Sequence, residues 1–291
     1  MELKLEHITK SYGKTKALSD FSMTFEPGIY ALLGPNGSGK STLMNIITDN
    51  LKPDYGEIFF EGESAKKLGV KFREKIGFMP QYPGLYSSFR VEEFLWYMAS
   101  LKGMEREKAN VQIPAVLAAV ELSDVARHKV GALSGGMKQR LALAQATLGD
   151  PDIMILDEPT AGLDPKQRIS IRNYIASIAL QKIVIIATHV VSDVEFIAKE
   201  IILLKKGVIA DRDSAQNLLK KIEQKVWRVR CREKDVGFFS EHLQVTNISK
   251  FEEDIVDLRV ISEQKPTEKA ISLTPSLEDY YLYVFGEELR I

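Results

Sequence analysis

The sequence has one cysteine, Cys231, so no disulfide can form within the chain and a reducing compartment is expected. It has no excess of either charge. With 39 basic and 40 acidic side chains the net charge is -1, which argues against a nucleic-acid binder working through bulk positive charge. Long apolar runs are missing as well. The longest, such as IMIL (153–156) and IVIIA (183–187), fall far short of the roughly 20 residues a membrane helix needs. The opening stretch, MELKLEHITK, is polar and lacks the apolar core of a signal peptide. No repeat or low-complexity tract interrupts the chain. Together these absences predict a soluble, cytoplasmic protein.

What is present is ordinary in bulk and patterned in detail. The chain has 291 residues, 45% of them hydrophobic and 27% charged, enough for one large core or two domains. Short, wholly apolar runs recur: GIYALLG (28–34), KIGFMP (75–80), DIMILDEP (152–159) and KIVIIATH (182–189). Such runs suit strands buried on both faces, hence a mostly parallel sheet covered by helices. Asp164 before Pro165 predicts a helix start, with Ile171, Ile175 and Ile178 as its apolar stripe. Ser192 and Glu195 suggest a capping box, with Val191 and Phe196 as its hydrophobic staple. Residues 1–26 and 54–62 alternate instead, as in an antiparallel sheet with one wet face.

From about 84 to 149 the strand-like runs stop and helices are predicted, a helical subdomain inserted into the α/β core. A boundary near 211–222 divides the chain into domains 1–215 and 216–291. In the second, KVWRVRC (225–231) and FEEDIVDLRVIS (251–262) suggest strands and TPSLEDYYLYVFGEEL (274–289) a closing helix, a small α+β extension.

GPNGSGKST (Gly34, Pro35, Asn36, Gly37, Ser38, Gly39, Lys40, Ser41, Thr42) fits the phosphate-loop pattern. It follows a buried strand and precedes a helix carrying Leu43, Met44, Ile47 and Leu51, which is the context the pattern requires. Its glycines let backbone N–H groups and a helix amino terminus face phosphate oxygens. Lys40 would reach the terminal phosphates and Ser41 would hold Mg²⁺. Asp157 ends a buried strand, where a nucleotide's metal needs a ligand, and Glu158 beside it could polarise a water. LSGGMKQR (133–140) opens a second helix with anion-binding character. Ser134 suits its N-cap, Gly135 and Gly136 follow, and Met137, Leu141, Ala144 and Leu148 form its stripe. Tyr12, Gln81 and His189 each have a plain structural reading when taken alone.

Taken in order and spacing, Tyr12, GPNGSGKST, Gln81, LSGGM, ILDEP, GLDP and Thr188–His189 resemble the ATP-binding-cassette ATPases over about residues 1–210. LSGGMKQR just upstream of ILDEP is the most specific part. The resemblance implies that Tyr12 stacks on adenine, Gln81 contacts Mg²⁺ and the attacking water, and His189 contacts the γ-phosphate. It also implies that Asp164 lies in a loop crossing between subunits, and that Ser134 to Gly136 cap an ATP held by another subunit's phosphate loop. The implied partners are a transmembrane permease and a second ATP-binding subunit, identical or sibling, on the inner face of the cell membrane; no nucleic acid is expected.

Six aromatics crowd residues 82–97 (Tyr82, Tyr86, Phe89, Phe94, Trp96 and Tyr97), where the resemblance places a helix of the membrane subunit. The tail resembles export-type cassettes. Import, or a cassette ATPase acting on DNA or ribosomes, stays as an alternative. A non-cassette kinase or GTPase leaves LSGGMKQR unexplained and lacks an N-K-x-D motif.

Overall fold

The computed structural model describes residues 1–289. Contacts divide the chain into two compact units, Met1–Ile209 and Ala210–Ile291. The division falls inside one strand, a few residues before the 215/216 boundary expected from the sequence.

The first unit begins with β1 (Leu3–Tyr12), β2 (Thr15–Phe25) and β3 (Gly28–Leu33), followed by helix α1 (Lys40–Ile47). Then come β4 (Tyr55–Phe60), β5 (Glu63–Ser64), the short α2 (Ala65–Leu68) and α3 (Val70–Glu74), and β6 (Ile76–Met79). Helices α4 (Val91–Leu101), α5 (Arg106–Ala119) and α6 (Gly135–Thr147) follow, before the next strand of the core. The core resumes with β7 (Ile153–Asp157), α7 (Pro165–Ile178), β8 (Ile183–Ala187), α8 (Val191–Val194) and β9 (Glu200–Lys205), and β10 (Val208–Asp213) spans the division.

One sheet is antiparallel, in the order β2-β1-β4-β5. The other runs β10-β9-β3-β8-β7-β6, and the pairings of β3 with β8 and β9, β8 with β7, and β7 with β6 are all parallel. The wholly apolar runs are those parallel strands, buried on both faces. Leu5, Phe21 and Phe25 of the antiparallel sheet share one core with Leu32, Ile155 and Ile185 of the parallel sheet and with Leu43, Met44 and Ile47 of α1. Helix α1 is therefore fixed between the sheets, and the phosphate-loop segment is anchored at both ends by buried structure.

Two helix readings need correction. α8 is a single turn starting at Val191, so Ser192 lies within it rather than capping it, and Phe196 is 80% exposed, so no staple forms. α6 is buried on most sides, not along a single stripe: Gln139, Arg140, Leu141, Ala142, Leu143 and Ala144 are all covered. Asp164 caps α7 as expected, accepting from the Gln167 N–H at 2.8 Å, with Ile171 and Ile175 buried beneath.

The second unit adds α9 (Ala215–Lys220), β11 (Val226–Arg232), α10 (Val236–His242), β12 (Gln244–Glu252), β13 (Ile255–Ile261), β14 (Ile271–Ser272) and α11 (Leu277–Leu289). Its sheet runs β12-β13-β11-β14 over a core of Val229, Val256, Leu258 and Val260. The run 251–262, expected as one strand, instead holds a reversal. Phe251 and Glu252 end β12, the polar pair Glu253–Asp254 turns, and Ile255 pairs back against Glu252.

Candidate active site

The parallel strands β3, β6, β7 and β8 all point their carboxyl ends to one edge, where open α/β sheets bind ligands. The segments leaving that edge are Gly34 to Thr42, Gln81, Asp157–Glu158 and Thr188–His189. These are the segments the motifs single out.

After β3 the chain makes two close approaches that only glycine permits. A Cβ on Gly34 would lie 2.3 Å from the Leu204 carbonyl oxygen. One on Gly39, whose φ is 111°, would lie 2.4 Å from that of Ala17. Gly39 is the residue before α1, and no side chain caps that helix, so its first N–H groups remain available to an anion. Lys40 folds back over the loop, its Nζ donating to the carbonyls of Gly34 at 2.6 Å and Pro35 at 3.0 Å. Burial lowers its pKa, opposed by the charges of Glu158 and Asp157. Ser41 is exposed at the helix start, and Ser38 is buried beneath the loop.

Asp157 ends β7 half-buried. Burial first, and then the neighbouring Glu158 charge, push its pKa up to about 6 against the pull of Lys40. Glu158 continues the ladder by one residue, its N–H donating to the Ala187 carbonyl at 2.8 Å. Its φ of 53° then turns the chain into the left-handed region, a conformation that costs a non-glycine residue about 1–3 kcal/mol.

The surroundings hold that turn. The Glu158 carboxylate, almost wholly buried, accepts from the Thr188 hydroxyl at 3.0 Å and the His189 N–H at 3.0 Å, and His189 Nδ1 lies 2.6 Å from Oε1. The His189 ring itself is 74% exposed, so it joins the buried carboxylate to solvent. A carboxylate held this way, beside a lysine and a second carboxylate, can take a proton from water at a phosphate bound over the glycine loop.

Other predicted residues lie outside this hydrogen-bonded cluster. Tyr12 ends β1, 53% exposed, and Gln81 is exposed just past β6. Ser134 N-caps α6, its Oγ accepting from the Met137 N–H at 3.2 Å, and Gly135 beside it is exposed. Gly136 packs on the loop before α7, where an added Cβ would lie 3.2 Å from Leu163 Cδ2 and 3.3 Å from the Gly162 carbonyl. The helix start is thus finished off by its own serine and open to solvent.

The sequence reading missed two contacts. Gln139 reaches from α6 to donate at 2.5 Å to the Glu158 carbonyl. Thr160 donates at 2.5 Å to the buried carboxylate of Asp193 on α8. Neither pair has a local spacing rule that would reveal it.

Comparison with known proteins identifies similar chains. A family profile described as ABC transporter matches residues 18–161. An uncharacterized ABC transporter ATP-binding protein of Bacillus subtilis is 36% identical over 247 residues, covering 84% of this chain and 82% of that protein. A Nod factor export ATP-binding protein I of Rhizobium meliloti is 32% identical over 293 residues, covering 97% of this chain and 88% of its own. Among solved structures, an ATP-binding cassette in a dimeric post-hydrolysis state bound to ADP and Pi superposes with a TM-score of 0.67 at 30% identity. That match covers 73% of this chain and 98% of the cassette.

Proposed function

This chain belongs to the ABC transporter family as an ATP-binding, ATP-hydrolysing subunit, and from that premise we propose how its residues do the work. Two cassettes, identical or sibling, close head to tail over two ATP molecules. Each nucleotide lies between the loop Gly34–Thr42 of one chain and Ser134, Gly135 and Gly136 of the other, with Asp164 in the loop between them. The observation that carries this reading is the start of α6. It has the N–H donors of an anion site, yet it is capped by its own Ser134 and faces solvent.

Lys40 moves from the Gly34 and Pro35 carbonyls to the β- and γ-phosphates. Tyr12 stacks on adenine, and Glu158 takes the proton of the attacking water while His189 steadies both it and the γ-phosphate. The donors at hand fit Mg²⁺ carried in with the nucleotide. The Ser41 hydroxyl, the Gln81 side-chain carbonyl and the half-buried Asp157 carboxylate are oxygen donors of the kind Mg²⁺ takes, and these residues would hold it. When bound, Mg²⁺ neutralises phosphate charge.

Among the described residues no helix is long and apolar enough to cross a membrane. In this reading separate transmembrane subunits form the translocation path, and this chain sits against them on the inner face of the membrane. Tyr82, 85% exposed, and the edge-to-face cluster of Tyr86, Phe89 and Tyr97 present an aromatic surface suited to a permease helix. Similarity to a Nod factor export subunit over nearly the whole chain, second unit included, favours export.

Crosslinking tests the shared site. With Cys231 replaced by Ser and turnover blocked by Glu158→Gln, cysteines at Ser134 and Asn36 should join two copies only when ATP and Mg²⁺ are present. Failure to join under those conditions overturns the reading.

A further inference from the structure

Gln139 sits about one and a half helical turns inside α6 from Ser134. Its side chain is buried, and a buried amide has to find its partners within the protein. It finds one outside its own helix, at 2.5 Å on the carbonyl of Glu158. That carbonyl belongs to the left-handed residue of the site, whose N–H is tied to Ala187 and whose carboxylate is tied to Thr188 and His189. Glu158 is therefore gripped from β8 on one side and from α6 on the other.

Helix α6 is unbroken between the two points and is held to its surroundings on either side of Gln139. Arg140 anchors it by donating at 2.9 and 2.8 Å to the carbonyls of Val120 and Glu121, and Gly136 wedges its first turn against Gly162 and Leu163. Ser134 and Gln139 lie at the start and within the second turn of one continuous helix, so a displacement of its start bears on Gln139. A change in the Gln139 bond acts on the backbone that aims the Glu158 carboxylate.

We propose that Gln139 is a positioning residue that couples the two nucleotide sites of the dimer. The inference rests on the shared-site reading above. In each chain the start of α6 caps the partner's triphosphate, while Gln139 on the same helix sets the orientation of the chain's own Glu158. Occupation of one site thereby readies the base of the other, and hydrolysis depends on ATP cooperatively.

The test uses the purified full chain, with steady-state hydrolysis followed against ATP at saturating Mg²⁺. Four forms are compared: the wild type, Ser134→Ala, Gln139→Met, which keeps length and loses the donor, and Gln139→His, which keeps an N–H at similar reach. ATP binding by each isolated subunit reports folding. Wild-type hydrolysis should show a Hill coefficient approaching two, the number of sites. Gln139→Met should lower kcat by roughly ten- to a hundredfold, change KM by less than about threefold and bring the Hill coefficient towards one, and Gln139→His should recover both kcat and cooperativity.

Wild-type kcat and cooperativity in Gln139→Met overturn the coupling. So does a Gln139→His variant as impaired as Gln139→Met, since packing rather than the donor would then explain the loss. If Gln139→Met fails to bind ATP, Gln139→His decides alone: cooperative hydrolysis supports the proposal and its loss refutes it. Should the wild type show no cooperativity and Ser134→Ala no effect, the shared-site reading itself falls. A Ser134 effect alongside an indifferent Gln139 removes only the coupling.

Discussion

Lys40 and Lys102 both lose water on folding, and burial lowers the pKa of each. Lys102 follows the end of α4 and donates at 2.5 Å to the Leu148 carbonyl; burial is the one influence on it, and its pKa falls to about 8. Lys40 differs in its company. Two carboxylates, Glu158 and Asp157, pull against its burial, Asp157 is itself displaced to about 6, and Glu158 beside it stands in a strained turn. The phosphate-loop edge thus gathers opposed charges that folding alone leaves unbalanced. The junction of α4 with the end of α6 holds a lysine serving as a clamp. Perturbed groups gathered at a ligand-binding edge of the sheet are candidates for a site, whereas a lone buried lysine on a carbonyl has a plain structural reading.

The contrast is broken most severely at Glu158. Glu158→Gln should bind ATP and dimerise yet lose about 10²–10⁴-fold in turnover, because the amide cannot take a proton. Hydrolysis near the wild-type rate would remove the carboxylate from its role.

Next comes Lys40 set against Lys102. Lys40→Met should cost about 10²–10³-fold in hydrolysis by removing the charge that the proposed mechanism sets on the phosphates. Lys102→Met should leave turnover within about twofold, and equal losses at the two positions would erase the difference between the two lysines. Smaller again, Ser134→Ala removes the cap of α6, worth about 1 kcal/mol of stability, and should slow hydrolysis more than it weakens ATP binding by the isolated subunit. A large loss of that binding instead would place Ser134 in its own chain's site.

Which of these residues could be seen in advance follows from how local their causes are. The buried strands were legible because a run such as IVIIA can satisfy its apolar faces only between layers. The caps Asp164 and Ser134 were legible because each acts within three residues of itself. Ser192 deceived for a tertiary reason: the segment after His189 is set by the buried Thr160–Asp193 bond, not by its own capping pattern. Gln139 was hidden in a helix whose stripe rule assumes one wet face, and α6 has little of one. Glu158 could be singled out from the sequence by its place after a buried strand. Its left-handed backbone and its tie to α6 depend on contacts distant in sequence.

The smallest effect bears most directly on whether Lys102 is scaffold. Below pH 8 its ammonium is charged in both folded and unfolded chains, so the burial cost is fully present. Between about 8 and the ordinary lysine value of 10.5 the folded chain releases a proton that the unfolded chain keeps, and stability rises with pH across that window. The gain cannot exceed about 1.4 kcal/mol per pH unit, and something on the order of 2 kcal/mol by pH 10 is expected relative to Lys102→Met. Trp96 on α4 reports urea unfolding of this unit, with Trp227 of the other unit changed to Phe. The difference between wild type and Lys102→Met should narrow or reverse as pH climbs from 7 to 10. A difference that stays flat would mean that Lys102 keeps its proton through some charge partner, and the contrast with Lys40 would fail at its simplest point.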